Sequence, residues 1–323
     1  MSGFLVTGGA GFIGSALVHH LVNLGEQVRV VDNLSTGFRG NLEDVIERID
    51  FLQGDLAEAS TAEAAVRDIE FVLHQAALPS VQRSVEDPVA SNRANVTATL
   101  NLLVAARDAA VKRFVYASSS SAYGDTAVLP KVETMPENPI SPYALSKLTG
   151  EKYCVVFHRT YGLPTVCLRY FNVFGPRQNP HSPYSAVISR FIDSALGGRC
   201  LTINGDGEQS RDFTYIDNVV AANLRACVAE GVNGMFFNIG TGERHTLNEL
   251  VQVLSTVVGR RLDVVHVARR LGDVEHSLAD IQKARRLLGY DPKVGFLEGI
   301  RRTVDWHERG FVSMQQAAVP VHS

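Results

Sequence analysis

The stretch Phe4-Leu5-Val6-Thr7-Gly8-Gly9-Ala10-Gly11-Phe12-Ile13-Gly14-Ser15 decides how the rest of the chain is read. Phe4-Leu5-Val6 is a short apolar run with strand character. Ala16 to Val22 reads as a helix, with Ile13, Leu17 and Leu21 on one face. Strand, glycine turn and helix in that order make a phosphate cradle. Glycine permits a tight turn and close approach of a pyrophosphate. The helix start then offers free N–H groups and its positive dipole end. Gly8, Gly11 and Gly14 stand three apart, unlike the common G-x-G-x-x-G spacing. Such a turn alone also serves ordinary strand-to-helix connections.

The next strand sharpens the reading. Gln27-Val28-Arg29-Val30-Val31 ends in Asp32. An acid at the tip of the second strand binds the ribose 2′-hydroxyl of NAD and repels the 2′-phosphate of NADP. Asn33, Leu34, Ser35, Thr36 and Gly37 follow as a polar loop beside the adenosine end.

Composition bounds the class. With 323 residues, the chain holds one large domain or two smaller ones. Its 45% hydrophobic and 20% charged residues suit an ordinary globular protein. A net charge of −3 gives no nucleic-acid or anionic-membrane surface. No apolar run is long enough to span a bilayer. With a strand starting at about Phe4, no signal peptide is expected, which implies a cytoplasmic location. Cys154, Cys167, Cys200 and Cys227 are scattered, so free thiols are expected, with neither a disulfide framework nor a metal site.

Strand-like and helix-like runs alternate through the first half. Ile49 to Gln53 reads as a third strand, followed by Gly54-Asp55-Leu56, where Asp55 is placed to accept from an adenine amino group. Glu63 to Arg67 belongs to a helix. Phe71-Val72-Leu73 is a buried strand leading into His74-Gln75-Ala76-Ala77, whose small residues let the chain run against a cofactor. His74 reads as a strand-end residue more than a catalyst. Asn95 to Ala110 is a helix with Leu102, Leu103 and Ala106 on an apolar face, and Arg113 to Ala117 is the next strand. This alternation predicts an α/β fold with a parallel, doubly wound sheet and a ligand site along one strand-end edge.

Ser118-Ser119-Ser120-Ser121-Ala122-Tyr123-Gly124 then tips the strand, and Tyr143-Ala144-Leu145-Ser146-Lys147 opens a helix. Tyr143 and Lys147, at i and i+4, share one helix face. That spacing suits a tyrosine base whose pKa is lowered by a nearby ammonium, with a serine hydroxyl on the same substrate oxygen.

These motifs resemble the extended short-chain dehydrogenase/reductases, in the nucleotide-sugar epimerase/dehydratase branch. Further carriers are Leu168 to Arg177, Gly205 to Phe213 and Asn238 to Gly242, and the likeness reaches to about residue 310. The resemblance implies a Rossmann-type domain over 1–171, with segments near 213–242 returning to it. It implies a smaller, interleaved UDP-sugar lobe over 172–310. Residues 311–323 read as a mobile tail. It also implies that Tyr143 is the catalytic base, Lys147 its electrostatic partner and ribose ligand, and Ser119 the hydroxyl partner, with Ser118 and Ser120 within one register step. NAD would meet Gly8, Gly11, Phe12, Ile13, Gly14, Asp32, Asn33, Ser35, Thr36, Gly37, Asp55, Leu56, Gln75, Ala76, Ala77, Tyr143, Lys147 and Tyr170. Substrate would meet Ser80, Ser119, Ser120, Tyr143, Ala186, Val187 and Ser277. Asn172 and Arg211 would hold its diphosphate with Arg270 nearby, Asp273 the uridine ribose, and the Thr202–Asn204 strand the uracil. Tyr143 would deprotonate the sugar 4-hydroxyl while the 4-hydride moves to NAD⁺; the 4-keto sugar rotates and the hydride returns to its other face. A homodimer through the helices near 95–110 and 143–161 is expected, although those faces equally suit internal core.

Sugar dehydratases and decarboxylases of this family carry a carboxylate after the serine tip, where this chain has Ser120-Ser121. That departure leaves 4-epimerisation. The position matching Ser277 limits room at the sugar C2 substituent, and a small residue admits an N-acetyl group. The expected substrates are therefore UDP-GlcNAc and UDP-GalNAc, with UDP-Glc and UDP-Gal not rejected. The rival is a UDP-glucuronate 4-epimerase, in which Arg177 would meet the carboxylate. A net oxidoreductase that exchanges its cofactor, and a non-catalytic NAD-sensing regulator, are the readings outside epimerisation. The intact Tyr143 and Lys147 speak against the regulator.

Overall fold

The computed structural model describes residues 3–180, 186–269 and 274–317. In chain order its strands and helices begin β1 (Gly3–Thr7), α1 (Phe12–Asn23), β2 (Gln27–Asp32), β3 (Asp50–Gln53), α2 (Ala59–Ala65), β4 (Phe71–His74), α3 (Val81–Glu86), α4 (Pro88–Asn92), α5 (Ala98–Asp108), β5 (Arg113–Ser119), α6 (Pro142–Tyr161) and β6 (Thr165–Tyr170). They continue with β7 (Val173–Phe174), α7 (Val187–Leu196), β8 (Leu201–Asn204), β9 (Ser210–Arg211), β10 (Thr214–Tyr215), α8 (Ile216–Val228), β11 (Met235–Ile239), β12 (His245–Thr246), α9 (Leu247–Val258), β13 (Val264–Val267), α10 (Gln282–Leu288) and α11 (Phe296–Ala317).

Seven parallel strands form one sheet in the order β11-β6-β5-β4-β1-β2-β3. The order reverses between β1 and β4, so their carboxyl ends open the crevice where a doubly wound sheet binds ligands. Alternating side chains serve the two faces. Leu5, Val31, Val72, Phe114 and Tyr116 pack with Leu102, Leu103 and Ala106 of α5 and Cys154 and Phe157 of α6. Val6, Val30, Leu73 and Val115 pack the opposite way, with Leu17, Val18 and Leu21 of α1 and Val219 and Val220 of α8. Each such fully buried side chain contributes roughly 1.5–3 kcal/mol. This double burial is why the strands read as continuous apolar runs.

Residues 235–239 return to the sheet beside β6, as the Met235 to Ile239 run suggests. The smaller lobe is held by parallel β8–β13, antiparallel β9–β12, and α7, α9 and α11.

Several boundaries differ from the sequence reading. The helix expected over Glu63–Arg67 is α2, which ends at Ala65. The helix expected over Asn95–Ala110 begins earlier, at Pro88, and ends at Asp108. It carries a π turn at Arg93–Thr97, which hydrophobic periodicity cannot reveal. The helix α11 continues past Gly310 to Ala317. Among the described residues no helix is long and apolar enough to cross a membrane, and no cluster suits a metal ion.

Candidate active site

The cofactor turn is shaped by backbone collisions that only glycine avoids. Gly8 sits at φ +64°. A Cβ there would stand 2.8 Å from the Ala76 backbone, so β1 and β4 bring their loops into contact. A Cβ on Gly14 would lie 2.1 Å from the Gly8 carbonyl oxygen. Gly9, not singled out in the sequence, is needed as well: its Cβ would meet Val30 at 2.5 Å. Gly11 caps α1 without any side-chain bond, leaving the first amides before Phe12 and Ile13 to an anion.

Asp32 ends β2 with both carboxylate oxygens engaged. Oδ2 accepts from the Ala10 N–H at 3.0 Å and Oδ1 from the Leu34 N–H at 2.8 Å. Burial raises its pKa despite these bonds. Gly37 covers the carboxylate so closely that a Cβ would lie 2.9 Å from both oxygens. Between them, Asn33 Oδ1 accepts from the Ser35 N–H, and Thr36 is exposed.

Other expected cofactor contacts are already committed within the fold. Asp55 pairs with Arg93 at 2.5 Å and accepts from the Ala57 N–H. Although burial opposes it, these donors hold its carboxyl below the usual range. Leu56 is a core side chain whose carbonyl accepts from Asn101. The Tyr170 hydroxyl lies buried between Gln75 and Asn223, at 3.2 Å and 2.8 Å. Ala76 donates to Thr7 Oγ1 at 3.2 Å, and Ala77 is half-buried on the same segment.

The catalytic helix begins as its sequence dictates. Ser141 Oγ accepts from the Ala144 N–H and Pro142 occupies the first turn; Gly162, at φ +73°, ends the helix. Ser84 Oγ accepts from the Tyr143 N–H at 3.0 Å, fixing that first turn against α3. The serine register is decided by partners. Ser118 donates to buried Glu151 at 2.7 Å. Ser119 is the serine of the tip that bears on Tyr143, holding its pKa down against burial, and Ser121 donates to Ser119 at 2.8 Å. Ser120 opens the short helical turn Ser120–Tyr123.

One electrostatic expectation is corrected. The Tyr143 pKa stands above the ordinary phenol value: burial raises it, and Ser119 opposes the rise. The Lys147 ammonium lies 4.5 Å from the centre of the Tyr116 ring, 3% exposed, and burial pushes its pKa down to about 8. His74 is fully buried, neutral and bonded on both ring nitrogens, as its strand-end reading implied.

Substrate-lobe residues gather apart from the tyrosine. Arg211 on β9 donates to the Ser210 and Glu275 carbonyls, at 2.9 and 3.0 Å. Ser277 is 9% exposed, and its N–H donates to the Ser210 carbonyl at 3.0 Å. A cleft of about 110 Å³ lined by Asn204, Gln209, Arg269 and Glu275 lies beside them. Thr202 is exposed on β8, and Ala186 and Val187 begin α7. Asn172 turns between β6 and β7 at φ +23°, its carbonyl accepting from Thr214. Ser80 caps α3 at φ +116°. Arg270 and Asp273, and the Ser182–Ser185 stretch, lie outside the described residues.

The model of the NAD dependent epimerase/dehydratase family matches residues 4–240. The chain belongs to that family. A relative from Methanocaldococcus jannaschii, named a putative UDP-glucose 4-epimerase, is 41% identical over 304 residues, 94% of this chain and 97% of its own. The UDP-N-acetylglucosamine 4-epimerase of Methanobrevibacter ruminantium, solved with UDP-N-acetylmuramic acid, is 40% identical with a TM-score of 0.91, covering 97% and 99% of the two chains. A UDP-glucuronate 4-epimerase of Thermodesulfobacterium geofontis is 33% identical over 316 residues, 95% of this chain and 96% of its own.

For an NAD-dependent epimerase/dehydratase the turn fits its cofactor. Gly8 and Gly14 let the turn fold tightly onto its own backbone and onto Ala76, and the α1 N-terminus behind Gly11 carries no side-chain cap, which leaves its first amides for a pyrophosphate. Asp32, with Gly37 against it, stands at the ribose-selecting position.

The sequence reading missed the supports. Arg169, fully buried, donates twice to fully buried Glu151, at 2.8 and 2.6 Å. A charged residue inside the apolar run Val166–Tyr170 was the available signal, with Glu151 four residues beyond Lys147. Asp212 accepts from the Thr241, Gly242 and Ala279 N–H groups, tying the Ser277 segment to the end of β11. Lys131 fixes the same segment by bonding Leu278 and Asp280 through its backbone, and Asn238 joins it to Tyr123.

Proposed function

We propose that this protein is a UDP-hexose 4-epimerase that interconverts UDP-GlcNAc and UDP-GalNAc and also admits UDP-Glc and UDP-Gal. UDP-sugar 4-epimerisation with NAD is the activity; the acetylated sugar is the finer inference. The observation that carries it is Ser277, a small side chain on a segment clamped by Ser210, Lys131 and Asp212. A small residue at that position leaves room for a C2 acetamide, and the clamp keeps the room from closing. The all-serine tip Ser118–Ser121 offers no carboxylate for expelling a 6-hydroxyl.

When bound, NAD⁺ supplies hydride transfer at sugar C4. Tyr143, as its phenolate, takes the proton from the 4-hydroxyl and becomes the neutral phenol, while Ser119 donates to the same substrate oxygen. Lys147, cationic below about pH 8, takes the role of cofactor ribose ligand. The hydrophobic wall of Tyr116 and the buried face of α6 exclude water from that proton transfer.

The rival, a UDP-glucuronate 4-epimerase, would use Arg177, whose guanidinium lies 4.0 Å from the Asp44 carboxylate. A homodimer is proposed through α6, as expected, but with exposed Val81, Val85 and Val89 of α3 and α4 beside its Leu145 and Val156 in place of the helix near 95–110, where only Val104 among large apolar residues is exposed.

The test is incubation of the purified protein with UDP-GlcNAc and no added NAD, followed by sugar separation. Formation of UDP-GalNAc is expected. Conversion of UDP-Glc or UDP-glucuronate but not UDP-GlcNAc would overturn the acetylated-sugar reading; conversion of none, even with added NAD, would overturn epimerisation.

A further inference from the structure

His74 lies between the cofactor turn and the catalytic helix, and the hydrogen-bond chain through it has one proton order that satisfies every atom. The Asn95 carbonyl can only accept, and Thr99 Oγ1 lies 2.6 Å from it. The single Thr99 hydroxyl proton is therefore committed there. Thr99 Oγ1 must accept from His74 Nε2, 2.9 Å away, so Nε2 carries a hydrogen. On the other side of the ring, Nδ1 lies 2.7 Å from Thr7 Oγ1, which already accepts from the Ala76 N–H. A neutral ring takes the Thr7 proton at Nδ1. A cationic ring would donate from both nitrogens and leave that Thr7 proton without an acceptor. It would also place a second positive charge near Lys147 in a site with no exposure. The rings of Phe114 and Tyr116 close the remaining sides.

The chain continues to the tyrosine. Asn95 sits in the π turn, and its side-chain amide donates to Ser146 Oγ at 2.9 Å. Leu78, on the loop after β4, donates to Asn95 Oδ1 at 2.7 Å. Ser146 donates to the Tyr143 carbonyl at 2.8 Å. Two hydrogen-bonded segments thus meet at Asn95 between the end of β1 and the first turn of α6, the first ending on its backbone carbonyl and the second starting at its side-chain amide. Reversing any link orphans a buried donor or acceptor, which is why the order is fixed.

We propose that His74, held as its neutral Nε2–H tautomer, is a positioning residue that sets the first turn of the catalytic helix relative to the cofactor turn through Thr7 on one side and Thr99, Asn95 and Ser146 on the other. The role rests on the epimerase reading above. His74 acts through its partners and touches none of the reacting atoms. A merely structural histidine would change stability and leave the turnover of the folded enzyme alone.

Thr99→Val keeps the shape and removes both hydroxyl links. The expected result is a kcat lower by roughly tenfold or more with KM for the UDP-sugar little changed, since a small misplacement of a reacting group costs up to about a hundredfold. Thr99→Ser restores kcat. Nitrogen-15 NMR of the wild-type histidines supplies an activity-independent readout. One ring is expected to show a protonated Nε2 and a bare Nδ1, unchanged from pH 8 to pH 5. A wild-type kcat in Thr99→Val overturns the positioning role, whatever happens to its Tm. Absence of such a ring overturns the proton order. If the wild type converts no UDP-sugar, the epimerase reading falls and the positioning role with it, while the NMR still decides the tautomer.

Discussion

Glu151→Gln is expected to destabilise the protein by about 3 kcal/mol. Glu151 and Arg169 have no exposed side-chain surface, and two charge-assisted bonds at 2.8 and 2.6 Å join them. Breaking a buried pair by removing one partner costs about 3–5 kcal/mol, because the surviving charge stays buried. Here Arg169 keeps one bond to Glu137, at 3.0 Å and partly exposed, which places the loss at the lower end of that range. Arg169 also stacks on Tyr123 and Phe236, at 4.7 and 4.2 Å, and keeps those contacts. Replacing both partners, as Glu151→Leu with Arg169→Met, leaves no stranded charge and is expected to cost less than the sum of the single changes. Urea unfolding followed by circular dichroism on the wild type, Glu151→Leu, Arg169→Met and the double variant gives the coupling energy. Additivity within about 0.5 kcal/mol would refute the pair as an energetic unit.

Four further outcomes follow from particular contacts. Gly14→Ala places a Cβ 2.1 Å from the Gly8 carbonyl oxygen, so the variant is expected to lose NAD during purification, read from the released cofactor's absorbance. Lys147 titrates near 10.4 in an unfolded chain and near 8 in the fold. Between those values the unfolded chain binds the extra proton, so this contribution to stability is complete above about pH 10.4 and is lost as pH falls to about 8. Lys147→Met is expected to flatten that part of the pH dependence of the urea midpoint. Ser277→Tyr is expected to lower kcat/KM for UDP-GlcNAc by roughly a hundredfold against UDP-Glc, measured by competition. Sedimentation of the wild type is expected at twice the monomer mass, and of a Val85→Glu, Leu145→Glu double variant at the monomer mass.

What the sequence alone determined is whatever depends on local order. The β1–turn–α1 unit, Asp32 at the end of β2, and the shared face of Tyr143 and Lys147 all follow from spacing along one or two elements, where period and glycine placement leave few alternatives. Tertiary structure alone decided which serine meets Tyr143, because Ser118 and Ser119 differ only in which face of β5 they serve, and Glu151 claims one of them. It also placed Lys147 over Tyr116, and engaged Asp55 with Arg93. The π turn carrying Asn95 and the Asp212 clamp on the Ser277 segment were equally invisible. Each joins residues far apart in the chain, and a buried polar group's partner is chosen by the distance and desolvation that folding creates.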